Sequence, residues 1–304
     1  MKILVLGSGG IGGFFGSYLV EAGADVTFLV RSKRKEILSI NGLNIVSSLG
    51  NLSIKPKTIL SEELKPIYDV IIVTCKTYDL DQAILDLRPI KGKGMIIPFL
   101  NGINHIEKLD KEFGSSNVMG GVAHISSNVN EQGTIEHFSE FKKLTFGNRN
   151  LINDDKIKSF YEICQKTKFD SVLSENINLD LWKKWVFIST VAGATSLFRS
   201  NLGEITKHDY GKKVVIDLFH ECAEIAKLNG YDFDENEKNV QIKTVTNSGS
   251  PIKASMLRDI EKKSLTEHEE IFGDLIVAGN KYNVNCPILM SSYIKMKIYQ
   301  ETGL

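Results

Sequence analysis

Short apolar runs alternate with amphipathic stretches through the first half of the chain. Lys2–Leu6, Val26–Val30, Asp69–Thr74 and Met95–Leu100 read as buried strands. A strand covered on both faces needs no polar alternation, which is the usual state in a parallel sheet. Pro98 disturbs the middle of the fourth run. Residues 11–22 have helical periodicity and stop at Gly23, and Asp79–Leu87 fits a crossover helix. Val118–Ser126, Gly133–Ser139 and Lys143–Gly147 follow without long helices between them. They predict antiparallel strands closing the sheet. Strands alternating with helices predict a mostly parallel, doubly wound α/β sheet.

From about Asn153 onward the pattern becomes helical, over 155–168, 178–198, 211–229, 234–247, 265–283 and 288–300. The spacing therefore predicts two domains, 1–172 and 173–304, with no Pro- or Gly-rich linker between them. Neither an internal repeat nor a low-complexity segment is present.

The length of 304 residues suits two domains at roughly 100–200 residues each. Lys+Arg and Asp+Glu both total 37, so the net charge is +0. That balance argues against a broad nucleic-acid surface. No apolar stretch reaches the roughly 18 residues of a membrane span. The N-terminal run Ile3–Leu6 is too short for a signal-peptide core, so a cytoplasmic protein is expected. Cys75, Cys164, Cys222 and Cys286 are far apart, without a CxxC pair. They read as reduced, packed thiols, and no metal site is expected.

Gly7-Ser8-Gly9-Gly10-Ile11-Gly12 fits G-x-G-x-x-G directly after the first strand and at the start of the first helix. Gly7 permits the tight turn, Gly9 lets a pyrophosphate approach the backbone, and Gly12 lets helix and strand pack closely. The helix N-terminus offers free N–H groups to the phosphates. At the tip of the second strand an NAD site usually carries Asp or Glu. Here the strand ends Val30-Arg31-Ser32-Lys33-Arg34. Arg31 can fork onto a 2′-phosphate and Ser32 can donate to it, so NADP is expected rather than NAD. Lys33 reads as a solvated charge at a helix start.

These residues, with others further along, resemble the ketopantoate reductase (2-dehydropantoate 2-reductase) family over nearly the whole chain. The resemblance is carried by GSGGIGG, Arg31, Thr74-Cys75-Lys76, Asn101-Gly102, Leu181-Trp182-Lys183-Lys184 and Ser255-Met256-Leu257-Arg258-Asp259 with Thr266-Glu267 following. It implies a Rossmann-type dinucleotide-binding domain followed by an all-helical C-terminal domain, with substrate in the cleft between them. The implied reaction is NADPH-dependent reduction of 2-dehydropantoate to pantoate, on the route to pantothenate and coenzyme A.

By resemblance Lys184 is the proton donor. At helical spacing it shares a stripe with Ile188, Ala192 and Thr195, whereas Lys183 points about 100° away and reads as a solvated charge. Partial desolvation on an apolar stripe lowers a lysine pKa toward the working range. The resemblance makes Glu267 the acidic partner near the nicotinamide ribose and the reacting centre. It puts Asn101 on ribose and substrate, Lys76 on the cofactor, Ser126 beside the nicotinamide and Ser255 on the substrate hydroxyl. The family commonly carries asparagines one and two turns after the lysine, where this chain has Ile188 and Ala192, and a third where it has Leu202 beside Asn201. Losing those amides changes or relaxes the choice of substrate. His124 and His137 read as structural.

The expected partner is a small 2-oxo acid, with neither nucleic acid nor membrane, and the oligomeric state is left open, a homodimer included. Two further readings stand beside the leading one. One is a paralogous NADPH-dependent reductase of another 2-oxo acid. The other is a non-catalytic NADP-binding redox sensor, which would need neither Lys184 nor Glu267.

Overall fold

The first-half apolar runs pair side by side because each can bury both faces. In the computed structural model, which describes residues 1–150 and 155–303, they are β1 (Lys2–Leu6), β2 (Asp25–Leu29), β6 (Val70–Val73) and β7 (Met95–Pro98). Asn153, near which the helical pattern was expected to begin, lies outside the described residues. A short strand, β5 (Lys57–Ile59), completes a five-stranded, all-parallel sheet in the order β5-β2-β1-β6-β7. Alternating residues serve its two faces. Ile3 and Val5 pack with Phe14, Phe15 and Phe28, while Leu4 and Leu6 pack with Ile71, Val73, Leu80 and Leu109. Helix α1 (Gly12–Glu21) joins β1 to β2 and α3 (Leu80–Leu87) lies between β6 and β7, while α2 (Ser32–Asn41) follows β2 and α4 (His105–Phe113) follows β7.

The later strands do not close this sheet. β8 (Gly120–Val129) and β9 (Ile135–Gly147) belong to a second sheet with β3 (Leu43–Ser47), β4 (Leu52–Ile54) and β10 (Asp170–Leu173). An isolated bridge, Ile96 to Val118, links the chain before β8 to β7. The two runs expected at 133–139 and 143–147 are one strand, β9, because β8 pairs along both parts of it. His137 pairs with Ser127 and Lys142 with Ile125, so Phe138–Phe141 bulges opposite Ser126. That bulge breaks the apolar alternation in the sequence. Helix α5 (Asp155–Cys164) packs Phe160 onto Phe146 of β9.

The chain divides into two compact units, one of Met1–Leu100 with His105–Asp180, the other of Asn101–Asn104 with Leu181–Leu304. The changeover falls inside helix α6 (Ile177–Phe198), later than residue 172. The reason is local: Ser174 donates to the Phe146 carbonyl and Asn178 to the Arg149 carbonyl, tying the start of α6 to the first unit.

The second unit is helical. From Leu181 through Leu197, no residue of α6 is exposed, which is the state of a helix that is apolar on most sides. Around it lie α7 (Leu202–Thr206), α8 (Asp209–Leu228), α9 (Glu235–Val245), α10 (Ser255–Glu261), α11 (Asp274–Asn280) and α12 (Pro287–Thr302). The expected helix over 265–283 starts later and irregularly: Glu269–Gly273 forms a π-turn that runs directly into α11. Its Asp274 N–H reaches back to the Glu269 carbonyl. The short helices α7 and α10 escaped the periodicity because neither offers more than two turns. Among the described residues no helix is long and apolar enough to cross a membrane.

Candidate functional site

In the first unit, the glycine loop links β1 to α1. Gly7 has φ +94°, a backbone conformation that favours glycine, and its N–H donates to the Leu29 carbonyl at 3.1 Å. A Cβ on Gly12 would collide with the Gly7 carbonyl and the Thr74 hydroxyl. That hydroxyl donates to the Leu6 carbonyl at 2.9 Å, so helix, loop and β6 leave no room for a side chain. A Cβ on Gly9 would instead enter open space. The first turn of α1, Gly12-Gly13-Phe14-Phe15, carries no acidic group, and no side chain caps it. An approachable backbone at Gly9 and an uncapped helix N-terminus together fit the pyrophosphate of a dinucleotide.

The loop is held by residues that the sequence did not single out. Arg34 donates from Nε to Ser8 Oγ and from Nη2 to the Ser8 carbonyl, both at 2.9 Å, and from Nη1 to the Gly133 carbonyl at 2.9 Å. Its position in a basic run gave no sign of this. On the far side of the loop, Ser127 Oγ donates to the Gly10 carbonyl at 2.9 Å. The neighbouring Ser126 donates its N–H to Ser139 Oγ, which anchors the β9 bulge.

Arg31 remains 73% exposed and pairs with Asp79 at 2.7 Å. That pairing pushes its pKa further up, so it stays charged throughout. Lys76 is half-buried and opens the short turn Thr77–Asp79 that carries Asp79. Ser32 and Lys33 are exposed at the start of α2. A cationic, hydroxyl-bearing edge thus sits at the ends of β2 and β6.

His137 is buried, tilted against Phe14, and its ring bonds to Ser47, Ser139 and the Phe141 carbonyl. Burial holds its pKa below the ordinary value, as suits a neutral structural imidazole. Cys164, Cys222 and Cys286 are buried and Cys75 is half-buried, all as free thiols.

The second unit brings together Lys184, Glu267 and Asn101. Glu267 is 4% exposed, and Asn101 Nδ2 donates to its Oε2 at 3.1 Å. The Asn101-Gly102 turn needs its glycine. Gly102 has φ +72°, and a Cβ there would lie 2.7 Å from the Glu270 carbonyl. Lys184 is half-buried. Burial pushes its pKa down to about 8, against the opposing pull of the Glu267 charge. A lysine so placed can give or take a proton near neutral pH.

Lys183 does turn away from Lys184, but it is not a solvated charge. It forms an ion pair with Glu237 of α9, and Gln241 of the same helix donates to its carbonyl at 3.4 Å. Ile188 is half-buried and Ala192 is 2% exposed on the stripe beyond Lys184. Leu202 is core, and the Asn201 amide beside it caps α7 by accepting the Glu204 N–H at 2.8 Å. Ser255 is exposed at the first position of α10. Among the described residues no His, Cys, Asp and Glu group of three or more is arranged to hold a metal ion.

The comparisons agree with this architecture in both halves. Residues 3–150 match the family described as "Ketopantoate reductase PanE/ApbA" and residues 176–300 its C-terminal counterpart. The chain is 36% identical over 301 residues to an uncharacterized oxidoreductase, YkpB, of Bacillus subtilis (strain 168), covering 99% of each. It is 28% identical over 304 residues to the 2-dehydropantoate 2-reductase of Pyrococcus horikoshii, covering 100% of this chain and 99% of that one. The crystal structure of 2-dehydropantoate 2-reductase from Geobacter metallireducens GS-15 shares the fold. It has a TM-score of 0.90 and 23% identity, covering 99% of this chain and 100% of that one. This chain belongs to the ketopantoate reductase (PanE/ApbA) family of oxidoreductases.

Proposed function

We propose that the protein reduces 2-dehydropantoate to pantoate with NADPH, a step toward pantothenate and coenzyme A. The observation that carries this reading is the half-buried Lys184, its pKa pushed down to about 8, with the charge of Glu267 acting on it and Asn101 bonded to Glu267. A redox sensor has no need of a lysine tuned in this way.

The glycine loop and the N-terminus of α1 hold the pyrophosphate, and Arg31 and Ser32 hold the 2′-phosphate. Lys76 and Ser126 also line the cofactor. When bound, the nicotinamide supplies the hydride. The protein's own work is on the proton. Reduction of a ketone builds negative charge on the carbonyl oxygen, and the Lys184 ammonium donates a proton there. Its lowered pKa makes it a stronger acid than an ordinary lysine, while Glu267 keeps it charged at neutral pH. Asn101 fixes the Glu267 carboxylate through its amide. Ser255 binds the substrate hydroxyl.

Ile188 and Ala192 favour a second reading, reduction of a 2-oxo acid with a more apolar side chain. A stripe without amides offers no partner to a substrate hydroxyl. Loss of NADPH absorbance, followed with 2-dehydropantoate and with a panel of branched-chain and aromatic 2-oxo acids, separates the two. The leading reading expects the highest kcat/KM for 2-dehydropantoate. A higher value for an apolar 2-oxo acid establishes the second reading, and tight NADPH binding without any turnover removes both.

A further inference from the structure

The π-turn at Glu269–Gly273 meets the segments that carry Lys184, Glu267 and Asn101. Widening a helix by one residue per turn takes carbonyls out of the regular ladder, and such turns recur at functional sites. Here the Ile271 carbonyl accepts two side-chain donors from α6, Trp185 Nε1 at 3.0 Å and Ser189 Oγ at 3.0 Å. Trp185 is 1% exposed and Ser189 fully buried, so both bonds lie in protein interior. One of them belongs to the residue that follows Lys184. The other belongs to the residue that follows Ile188, one turn on along the same stripe.

The other end of the turn holds the acid. Glu267 lies two residues before it, and the Ile271 N–H donates to the Glu267 carbonyl at 3.1 Å. Ile271 thus bonds the Glu267 backbone through its N–H and α6 through its carbonyl. The Asn101-Gly102 turn rests on the Glu270 backbone. Finally, the Glu269 carboxylate pins the turn to α12, accepting from Tyr293 Oη at 2.9 Å and Lys297 Nζ at 3.0 Å.

We propose that this π-turn sets the register of the site, and that Trp185 and Ser189 are positioning residues that hold Lys184 against Glu267 and Asn101 through the Ile271 carbonyl. The inference rests on the catalytic reading of Lys184. Neither residue touches the reacting atoms; each acts through the backbone of another. Removing one donor lets α6 shift against the turn, and displacements on the order of 1 Å at a catalytic group cost up to about 100-fold in rate.

The test compares Ser189→Ala and Trp185→Phe, which each delete one donor and keep most of the packing, with Thr190→Val. Thr190 is an equally buried hydroxyl on the same helix, but it donates to the Val186 carbonyl within α6 at 2.9 Å. Two quantities are read. One is kcat, with the KM for NADPH beside it. The other is the titration midpoint of Lys184 in the free enzyme, followed by NMR with labelled lysine. Burial is the larger influence on that lysine, with the Glu267 charge opposing it; Lys183 is engaged with Glu237.

Ser189→Ala and Trp185→Phe are each expected to lower kcat about ten-fold or more with the KM for NADPH unchanged. Both should move the Lys184 midpoint up toward the ordinary lysine value, and Ser189→Thr should restore both. Thr190→Val should lower the Tm and leave kcat and the midpoint alone. A Ser189→Ala protein that loses Tm like Thr190→Val but keeps wild-type kcat and midpoint overturns the proposal. If the wild type turns over no 2-oxo acid, the catalytic reading fails separately, and the Lys184 midpoint in the two variants still decides the positioning role. If Trp185→Phe does not fold, Ser189→Ala decides alone.

Discussion

At the scale of single residues, the two adjacent lysines carry the sharpest prediction. Lys184→Ala should lower kcat by about two to four orders of magnitude, the usual contribution of one general acid, while NADPH binding survives. Lys183→Ala breaks only the Glu237 pair and should stay within a few-fold of wild type. A dead Lys183→Ala beside an active Lys184→Ala would reverse the assignment. The pH dependence follows from the same group. Reduction needs Lys184 charged, so its rate should fall as pH rises through about 8, and the reverse oxidation, which needs it neutral, should rise over the same range. Steady-state rates in both directions check this; parallel profiles would show that another group titrates.

Arg31 is the second residue-scale case. It is exposed and already paired with Asp79, so a 2′-phosphate has to compete with that carboxylate. A charge-assisted contact made under those conditions still contributes roughly 1.5–3 kcal/mol. Arg31→Ala should weaken NADPH binding by about that amount and leave NADH binding nearly unchanged, measured by calorimetry on both cofactors. Equal losses for the two would reduce Arg31 to a structural role.

At the scale of elements, the glycine loop is a shape that needs support. Arg34 makes three hydrogen bonds to Ser8 and Gly133, joining loop, α2 and the β8–β9 connection. Burial lowers its pKa without neutralising it, since an arginine remains charged well above neutral pH. Arg34→Met keeps the stem and removes the fork. It should weaken NADPH and NADH together, by about ten-fold, and lower global stability by about 1–3 kcal/mol through the unsatisfied carbonyls. The contrast with Arg31→Ala is the useful feature, because one cation selects between cofactors and the other shapes a loop that serves both. A loss confined to NADPH in Arg34→Met would move the phosphate contact to that residue.

At the scale of the whole molecule, the tuned lysine has a price in stability. Its folded-state pKa of about 8 lies below the ordinary lysine value near 10.4. Between those values the unfolded chain holds a proton that the folded protein has released, so stability rises with pH across that window. Below about pH 8 the full penalty is present. Relative to Lys184→Met, the wild type should gain up to about 3 kcal/mol between pH 7 and pH 10.5, whatever constant offset the lost Glu267 interaction introduces. Denaturant unfolding of both proteins at several pH values measures this. A difference independent of pH would mean that Lys184 keeps an ordinary pKa in the folded protein.

Much of the first unit was legible along the chain because it is written in local terms. A strand buried on both faces is a continuous apolar run, and the Gly7–Gly12 spacing describes one turn and one close contact, each complete within six residues. The direction of Lys184 relative to Lys183 is likewise a matter of helical geometry, and the structure separates the two as that geometry requires. What the tertiary structure decided is wherever distant segments meet. The second sheet joins β3 to β9 across almost ninety intervening residues, and the β9 bulge that disguises it exists only through pairing with β8. Arg34 stood in the sequence only as one of three cations after the second strand, and Ser8 and Gly133 gave it its place on the loop. The helix at 265–283 showed ordinary periodicity, which carries no sign of the extra residue in its first turn. That residue is accommodated by donors from α6 and α12, and a backbone distortion stabilised by partners far along the chain leaves no trace in the local pattern of apolar and polar positions.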